Sequence, residues 1–290
     1  MSDQIDLVKM GWLPDYPDVR DYSIDYDSIE PKLKKLGQKD SVKDMLVKVG
    51  IKENKKLTLP TSIDLRPWCA PIENQLNLGS CTAHAGIGIL EYFERRSFGK
   101  HLDASRLFLY KTTRNLMQVV GDTGAFIRTT MGALILFGAP PEEYWKYIVA
   151  NYEIEPTAFC YAFGQNYQTI NYYRYDPPGI NRNVLLNNIK TTLAGGLPSM
   201  FGFSVYDSYG QGNVTGKIPY PAPLDRRVGG HAIVAVGFDD NLKIKNTNPR
   251  GIETKGALLI RNSWGTSWGD KGYGWLPLSL IHISEPTRPY

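Results

Sequence analysis

The pattern of apolar residues changes near Pro198, and this change most constrains how the chain can fold. Before it, apolar residues recur at helical spacing and predict helices at about 81–96, 104–118, 127–137, 141–147 and 184–194. After it, short segments rich in β-branched and aromatic residues predict strands at 199–206, 231–238, 257–261 and 272–276. Helices followed by strands indicate an α+β chain that folds as two packed subdomains.

The start of the chain differs from the rest in its charge. Residues 1–30 carry eight acidic and two basic side chains, whereas residues 31–56 carry nine lysines and three acidic side chains. Apolar residues at roughly helical spacing end before Leu59-Pro60. We therefore predict an N-terminal extension at 1–57 that either wraps the protein or acts as a pro-segment. The main domain is predicted at 58–278, with a helical part at about 58–196 and a β part at about 197–278.

Charge and hydropathy narrow the classes of partner. The lysine-rich stretch is short, and we interpret it as a solvated linker or helix face, so no nucleic-acid partner is expected. No apolar run reaches the length of about 18 residues that a membrane span requires, so no membrane partner is expected either. The first residues lack the features of a secretory signal, which favours the cytoplasm. No metal-ligand spacing or nucleotide-binding motif is present, so we expect no metal and no cofactor, and a monomer.

Residues 279–290 resemble translated adapter sequence, and we predict that they form a non-native tail. The chain has three cysteines, Cys69, Cys81 and Cys160, which are too few for a disulfide scaffold. If Cys81 serves in catalysis, only Cys69 and Cys160 remain to pair. Both a disulfide and free thiols stay open, and a reducing compartment favours the thiols.

Cys81 stands at the first turn of a predicted buried helix. Unpaired backbone N–H groups and the helix dipole at such a position stabilise a thiolate. The residues before it, Leu78-Gly79-Ser80, predict a tight turn that exposes the sulfur. Gln75 can supply an amide donor beside it. This pattern indicates a candidate nucleophile.

His231 follows two glycines and is predicted to open a strand. Its imidazole can take the proton of a thiol and leave an ion pair that attacks a carbonyl carbon. Asn262 follows the predicted strand at 257–261, and its carbonyl can accept from the imidazole N–H and fix the ring. Trp264 can shield that hydrogen bond from water. These residues are the candidate base, its partner and their cover.

The order of these motifs resembles the papain family of cysteine peptidases over about residues 59–277. The motifs are Gln75-Leu76-Asn77-Leu78-Gly79-Ser80-Cys81, Gly230-His231-Ala232, Asn262-Ser263-Trp264-Gly265-Thr266-Ser267-Trp268-Gly269 and Gly272-Tyr273-Gly274. The resemblance implies a papain-like α+β fold. A helical N-terminal subdomain and an antiparallel, barrel-like β subdomain then flank an active-site cleft.

The resemblance also implies catalytic roles. Cys81 attacks the peptide carbonyl and forms an acyl-enzyme, with His231 as base and then acid. Asn262 orients His231. The Gln75 side-chain amide and the Cys81 backbone N–H form the oxyanion hole. The chain is thus expected to be a cysteine-type peptidase (a hydrolase) without cofactor, acting on a peptide or protein substrate.

Four further positions are implied to bind substrate. Gly124 lies in a loop that resembles the family's backbone-binding loop. Gly202 and Ala232 match positions that line the pocket for the second residue upstream of the cut. Trp264 covers the Asn–His pair and edges the other side of the cleft.

Two alternatives remain open. Another Cys–His amidase or transferase shares the order of cysteine and histidine, but Gln75 and the Asn-Ser-Trp-Gly run argue against it. A catalytically inactive papain-fold binding protein is disfavoured by the joint presence of the four candidate groups.

The chain also departs from the family pattern at Thr82 and Leu78, and residues 243–255 predict an inserted hairpin. Residues 1–57 do not resemble the family's helical inhibitory propeptide.

Overall fold

A computed structural model describes residues 10–16, 18, 21–24, 27–29, 31–35, 38–48, 59–169 and 171–282. The helices are α1 (Pro31–Lys35), α2 (Val42–Lys48), α3 (Cys81–Phe98), α4 (Arg106–Met117), α5 (Ile127–Phe137), α6 (Ala158–Gly164) and α7 (Arg182–Ala194). The strands are β1 (Trp12–Leu13), β2 (Ser62–Asp64), β3 (Ala125–Phe126), β4 (Ser199–Tyr206), β5 (Arg227–Lys245), β6 (Glu253–Arg261) and β7 (Tyr273–Pro277). None of the helices within these ranges is long and apolar enough to cross a membrane.

Helix α3 carries the predicted nucleophile at its first residue and ends where the sequence indicated. Gly99 follows it in the left-handed conformation, with φ of 66°, and donates its N–H to Arg95 O. Because glycine adopts positive φ at little cost, this residue stops the helix. Helix α3 packs on α4 and α5 around a cluster that includes Ile87, Leu107 and Leu134. The predicted helices at 104–118 and 127–137 are confirmed.

The predicted helix at 141–147 was wrong. Pro141 instead forms an isolated bridge with Ala104, and Glu142 N donates to Asp103 O at 2.7 Å. The chain then turns, and the Glu142 carboxylate accepts the N–H of Tyr147. The segment therefore exchanges its own helical hydrogen bonds for bonds to the residues before α4. Helix α6, farther on, was not predicted.

The strands of the second half form one antiparallel sheet together with β2, in the order β2-β5-β6-β7, with β4 also paired to β5. Strand β5 is longer than the predicted strand at 231–238, so His231 lies inside a strand instead of opening one. The hairpin predicted at 243–255 is confirmed, with Lys243 opposite Lys255. Strand β2 was not predicted; it pairs with β5 at Asp239, Phe238 and Gly237.

Two apolar clusters hold the sheet and join it to α3. The larger fills the sheet subdomain and includes Phe203, Phe238 and Leu258, and Leu280 packs in it as well. The smaller contains Ala85 and Tyr92 of α3 together with Val234 of β5. These residues place α3 beside the middle of β5. Most of the residues predicted to form a non-native tail lie outside the described range, so that interpretation stays a prediction.

All three cysteines are buried and none forms a disulfide, so the free thiols that the sequence favoured are confirmed.

Candidate active site

The Cys81 thiol lies at the junction of α3 and β5. Its sulfur accepts the backbone N–H of Ala232 at 3.4 Å, and Ala232 directly follows His231 in β5. The N–H groups of the first turn of α3 also approach the sulfur. The structure thus brings the predicted nucleophile to the strand that carries the predicted base.

The His231 ring is held by Asn262 at the end of β6. His231 Nε2 and Asn262 Oδ1 are 2.8 Å apart, and Ser263 N donates to the same oxygen at 2.8 Å. Because a backbone N–H can only donate, the atom that faces Ser263 N must be oxygen, and Nε2 must then carry the proton of His231. A neutral imidazole therefore keeps its lone pair on Nδ1. This nitrogen has no hydrogen-bond partner among the described residues.

Trp264, the predicted cover of this pair, packs against the His231 ring. Its ring centroid lies 4.7 Å from that of His231, and Phe203 approaches the imidazole from β4 at 6.1 Å. His231 is completely buried and Asn262 almost so. The low dielectric around the pair strengthens the hydrogen bond between them.

Gln75 is fixed to the same loop through Ser263. Ser263 Oγ donates to Gln75 Oε1 at 2.6 Å, and Gln75 N donates to Ser263 O at 2.8 Å. The Gln75 Nε2 atom donates to Leu78 O at 2.9 Å, in the turn before Cys81. One loop residue, Ser263, therefore links the candidate oxyanion donor to Asn262 and hence to His231. No role for Ser263 was predicted from the sequence.

The loop that contains Gly124 is tied to the same turn by Asp122. Its carboxylate accepts the N–H of Gly79 at 3.0 Å and the hydroxyl of Tyr110 at 2.5 Å. That hydroxyl in turn accepts the N–H of Gly124 at 3.1 Å. Asp122 thereby sets the position of the predicted backbone-binding loop relative to Cys81.

Residues 10–16, which we call the strap, lie across this site. Ala125 N donates to Gly11 O at 2.7 Å, and β1 of the strap pairs with β3 in parallel. The backbone N–H of Gly11 lies near enough to the Cys81 thiol to favour its ionised form. Any side chain at Gly11 would overlap the carbonyl of Gly79. The strap backbone therefore lies directly on the nucleophile.

Trp12 of the strap occupies the predicted substrate pocket. Gly202 and Ala232, the two predicted pocket positions, stand opposite each other on β4 and β5. A Cβ at Gly202 would overlap the Trp12 indole, and one at Gly230 would lie 2.7 Å from Trp12 O. Met10 Sδ lies equally close to the place of a Cβ at Gly229. The absence of side chains at these glycines makes room for the strap.

Two aspartates anchor the strap and the residues that follow it. Asp15 Oδ2 accepts the N–H of Ile127 at 3.1 Å and Oδ1 accepts that of Arg128 at 3.2 Å, at the start of α5. The Arg128 guanidinium binds both carboxylate oxygens of Asp21, at 2.7 and 2.6 Å. Arg174 also donates to Asp21, at 2.7 Å. We call this set of contacts the latch.

Burial changes the charge of the candidate pair. Loss of water contact raises the pKa of the Cys81 thiol to about 11 and lowers the pKa of His231 to about 4. Both side chains are therefore neutral near pH 7 in this structure. The prediction that the turn before Cys81 exposes the sulfur was wrong, because Gly11 covers it.

Three features of the site were not predicted from the sequence: the strap, Ser263 and the buried Tyr209. The Tyr209 hydroxyl lies 3.3 Å from Asn262 Nδ2. The glycines at 202, 229 and 230 were a signal for a chain passing close to β4 and β5. Nothing in the sequence indicated which segment that would be. No group of metal-ligating side chains occurs in the described part of the chain.

Comparison with known proteins places residues 59–279 in the family described as papain family cysteine protease. The chain is 29% identical over 276 residues to an uncharacterized peptidase C1-like protein of Acanthamoeba polyphaga mimivirus, covering 93% of this chain and 82% of that protein. It is 27% identical over 242 residues to the thiol protease aleurain of Arabidopsis thaliana, covering 77% of this chain and 58% of that protein. The chain thus spans little more than half of the plant enzyme.

Among solved structures, the chain resembles xylellain, a cysteine protease from Xylella fastidiosa. The TM-score is 0.70 at 29% identity, and the match covers 96% of this chain and 92% of that one. Matches of this length to the viral and bacterial proteins must include much of residues 1–57. The match to aleurain covers 77% of the chain, close to the share that residues 59–279 make up.

Proposed function

The chain belongs to the papain family of cysteine proteases, and we propose that Cys81 and His231 carry out its hydrolysis of peptide bonds. The observation that carries this assignment is the continuous set of hydrogen bonds from Gln75 through Ser263 and Asn262 to His231. The residue after His231 contacts the Cys81 sulfur. Each group thereby has a partner that fits the role proposed for it.

The reaction requires one proton to move between two groups. In the open enzyme, the Cys81 thiol gives its proton to His231 Nδ1, and the sulfur attacks the peptide carbonyl carbon. The leaving amine takes that proton from His231, which leaves an acyl-enzyme. Water then gives a proton to His231 and its oxygen to the acyl carbon. The carboxylic acid departs as the proton returns to the sulfur.

We assign Asn262 and Gln75 to supporting roles in this reaction. Asn262 Oδ1 fixes the Nε2–H tautomer of His231 and stabilises the imidazolium. The side-chain amide of Gln75 and the backbone N–H of Cys81 donate to the developing oxyanion. Removing one such donor typically lowers kcat by about 10²–10³. The fixed position of Gln75 beside Ser263 supports this role, because a preorganised donor needs no rearrangement during the reaction.

The groove takes an extended peptide, and the strap supports this proposal because it lies there as one. Ala125 N binds a backbone carbonyl of the strap, and Trp12 enters beside Gly202, which pairs with Ala232 across β4 and β5. We propose that substrate uses the same surfaces, with Gly124 shaping the loop and Trp264 bordering the cleft. Protein or peptide substrates follow from the family.

We further propose that the extension at 1–57 keeps the enzyme inactive through its strap. The strap and substrate compete for the same surface, so the two cannot bind together. Gly11 presents its N–H to the sulfur, and its carbonyl is bound by Ala125. These contacts place the strap backbone on the surface that we propose for the substrate backbone, which supports a covering role for the strap.

The test compares the full chain with Gly11→Val, which is designed to lift the strap. Both are incubated with a pool of fluorogenic peptides and with an epoxysuccinyl probe. We expect Gly11→Val to cleave peptides and to be labelled at Cys81, and Gly11→Val with Cys81→Ser to do neither. Labelling without peptide cleavage would favour another Cys–His amidase or transferase. Neither labelling nor cleavage in Gly11→Val would favour an inactive binding protein.

A further inference from the structure

Tyr209 lies beneath the candidate active site, outside the set of residues that contact a substrate. It belongs to the turn of 3-10 helix at Asp207–Gly212 that follows β4, and it is 7% exposed. Its hydroxyl oxygen accepts the N–H of Asn262 Nδ2 at 3.3 Å. That amide nitrogen makes no other hydrogen bond among the described residues, so Tyr209 completes the surroundings of Asn262.

The two sides of the Asn262 amide are thereby distinguished. On one side, Oδ1 accepts from Ser263 N and His231 Nε2. On the other side, Nδ2 donates to the Tyr209 hydroxyl. A flipped amide would direct N–H groups at two donors, so Ser263 N sets the orientation in which Asn262 accepts from His231. In that orientation the Tyr209 hydroxyl, which can donate or accept, supplies the acceptor for Nδ2.

The Tyr209 ring is itself fixed by two tryptophans. It stacks on Trp268 at 5.8 Å with an interplanar angle of 11°, and it meets Trp264 edge-on at 4.9 Å. Burial raises the pKa of the Tyr209 phenol well above its usual value, so the hydroxyl stays neutral. A phenylalanine would retain both ring contacts. The contribution of the hydroxyl can therefore be separated from that of the ring.

We propose that Tyr209 is a positioning residue for the reaction, whose hydroxyl holds Asn262 in the orientation that fixes the His231 ring. This proposal rests on the function proposed above. The Tyr209 hydroxyl contacts Asn262 and neither the thiol nor the strap, so the hydroxyl acts through Asn262. Loss of the hydroxyl should leave substrate binding intact and loosen the imidazole.

The expected effect is a fall in kcat of about 3- to 10-fold in Tyr209→Phe, the range for loss of a neutral hydrogen bond, with KM unchanged. The alkaline limb of the pH–kcat profile should move to lower pH. The reason is that a loosely held Asn262 stabilises the imidazolium less well, which lowers the pKa of His231 in the ion pair. A purely structural role would not move this limb.

The experiment measures kcat, KM and their pH dependence in chains that carry Gly11→Val to open the groove. Tyr92→Phe is the matched control, because it removes a buried hydroxyl that donates to Gly196 O, away from the active site. In a chain that already carries Asn262→Ala, Tyr209→Phe should cause no further loss of kcat. An equal loss with and without Asn262, or an effect confined to KM, would overturn the proposal.

A second readout does not depend on turnover. The His231 Nε2–H proton should give a downfield NMR signal, and its exchange with solvent should be several-fold faster in Tyr209→Phe but not in Tyr92→Phe. An unchanged exchange rate would refute the positioning role even if the chain cleaved no peptide. Failure of the proposed peptidase function alone would leave the difference in exchange intact.

Discussion

Gly11 lies beside Cys81, with its backbone N–H near enough to the sulfur to favour the ionised thiol. No side chain fits at residue 11, because a Cβ there would overlap Gly79 O in the turn before Cys81. Two residues 70 positions apart in the chain are therefore neighbours where the strap crosses the site. The Cys81 sulfur is buried at this place, and burial keeps its thiol protonated near pH 7.

Gly11→Val is expected to raise peptidase activity of the full chain by about tenfold or more. Overpacking against the rigid turn at Gly79 typically costs about 1–3 kcal/mol, and here that cost falls on the docked strap. The measurement is the initial rate of peptide cleavage. Gly132→Ala in α5 is the matched control, because a Cβ there meets nothing within 4 Å. Equal rates for the two variants would contradict the prediction.

Arg128→Gln should also raise activity, by about 3- to 10-fold, by weakening the latch. Arg128 makes a two-pronged, partly buried contact with Asp21, and such charge-assisted contacts are stronger than exposed ion pairs. The rate should be compared at low and high salt, since salt should activate the unmodified chain more than the variant. Lys243→Gln, which breaks an exposed pair with Glu253, should have no effect.

Opening the groove should lower the pKa of Cys81. Under the strap that pKa is raised to about 11 by burial, so the thiolate forms only as the pH rises toward that value. Water and a charged His231 would stabilise the thiolate in the open form, so alkylation should begin at a pH several units lower. The rate of iodoacetamide reaction at Cys81, followed by mass spectrometry from pH 5 to 10, tests this in the full chain and Gly11→Val. Superimposable profiles would rule it out.

Attachment of the strap should weaken as the pH rises through about 6. Burial raises the pKa of Asp15 from 3.8 to about 6, against the opposing effect of the Arg128 N–H and charges of Arg128 and Arg174. Between these two pKa values, Asp15 is ionised in a released strap but still protonated in a docked one. Rising pH therefore favours release. The pKa of the neighbouring Asp21 is instead lowered from 3.8. Ionised Asp21 therefore favours docking, and this effect is lost only at pH values below about 4.

This dependence can be followed by the fluorescence of Trp12 and by limited proteolysis of the strap between pH 4 and 8. Asp15→Asn keeps an oxygen acceptor for the N–H groups of α5 but cannot titrate. The variant should therefore bind its strap equally well across this range. A pH response that persists in Asp15→Asn would assign it to another group.

Ser263→Ala should lower kcat by about tenfold by releasing Gln75 while leaving the Asn262 anchor in place. The lost contact is the Ser263 hydroxyl on Gln75 Oε1, whereas Asn262 is held by the backbone N–H of Ser263, which alanine retains. The pH profile should therefore stay unchanged, unlike that of Tyr209→Phe. The measurement is kcat and its pH dependence in chains that also carry Gly11→Val. The control is Ser204→Ala, which removes an exposed hydrogen bond from Arg227. A shifted alkaline limb would show that Ser263 acts through His231 instead.

The sequence by itself predicted the elements that carry the candidate catalytic groups. The start of α3 at Cys81, the strand that ends before Asn262 and the hairpin at 243–255 all follow from local signals. Helical and strand periodicity, a glycine after a helix and short polar breaks depend only on neighbouring residues, so they can be recognised in a single chain. The turn at 141–147 was mistaken for a helix, because its bonds run to residues 103–105, which local pattern does not reveal.

The tertiary structure alone decided what lies on these groups. Trp12 meets Gly202 and Tyr209 meets Asn262 through contacts between distant segments, and neither pairing leaves a local pattern in the sequence. The same holds for the charge of Cys81 and His231, since desolvation depends on the segment that covers them. Residue types and their order determined which chemistry is available, and packing of the strap determined that both groups are neutral in the closed form.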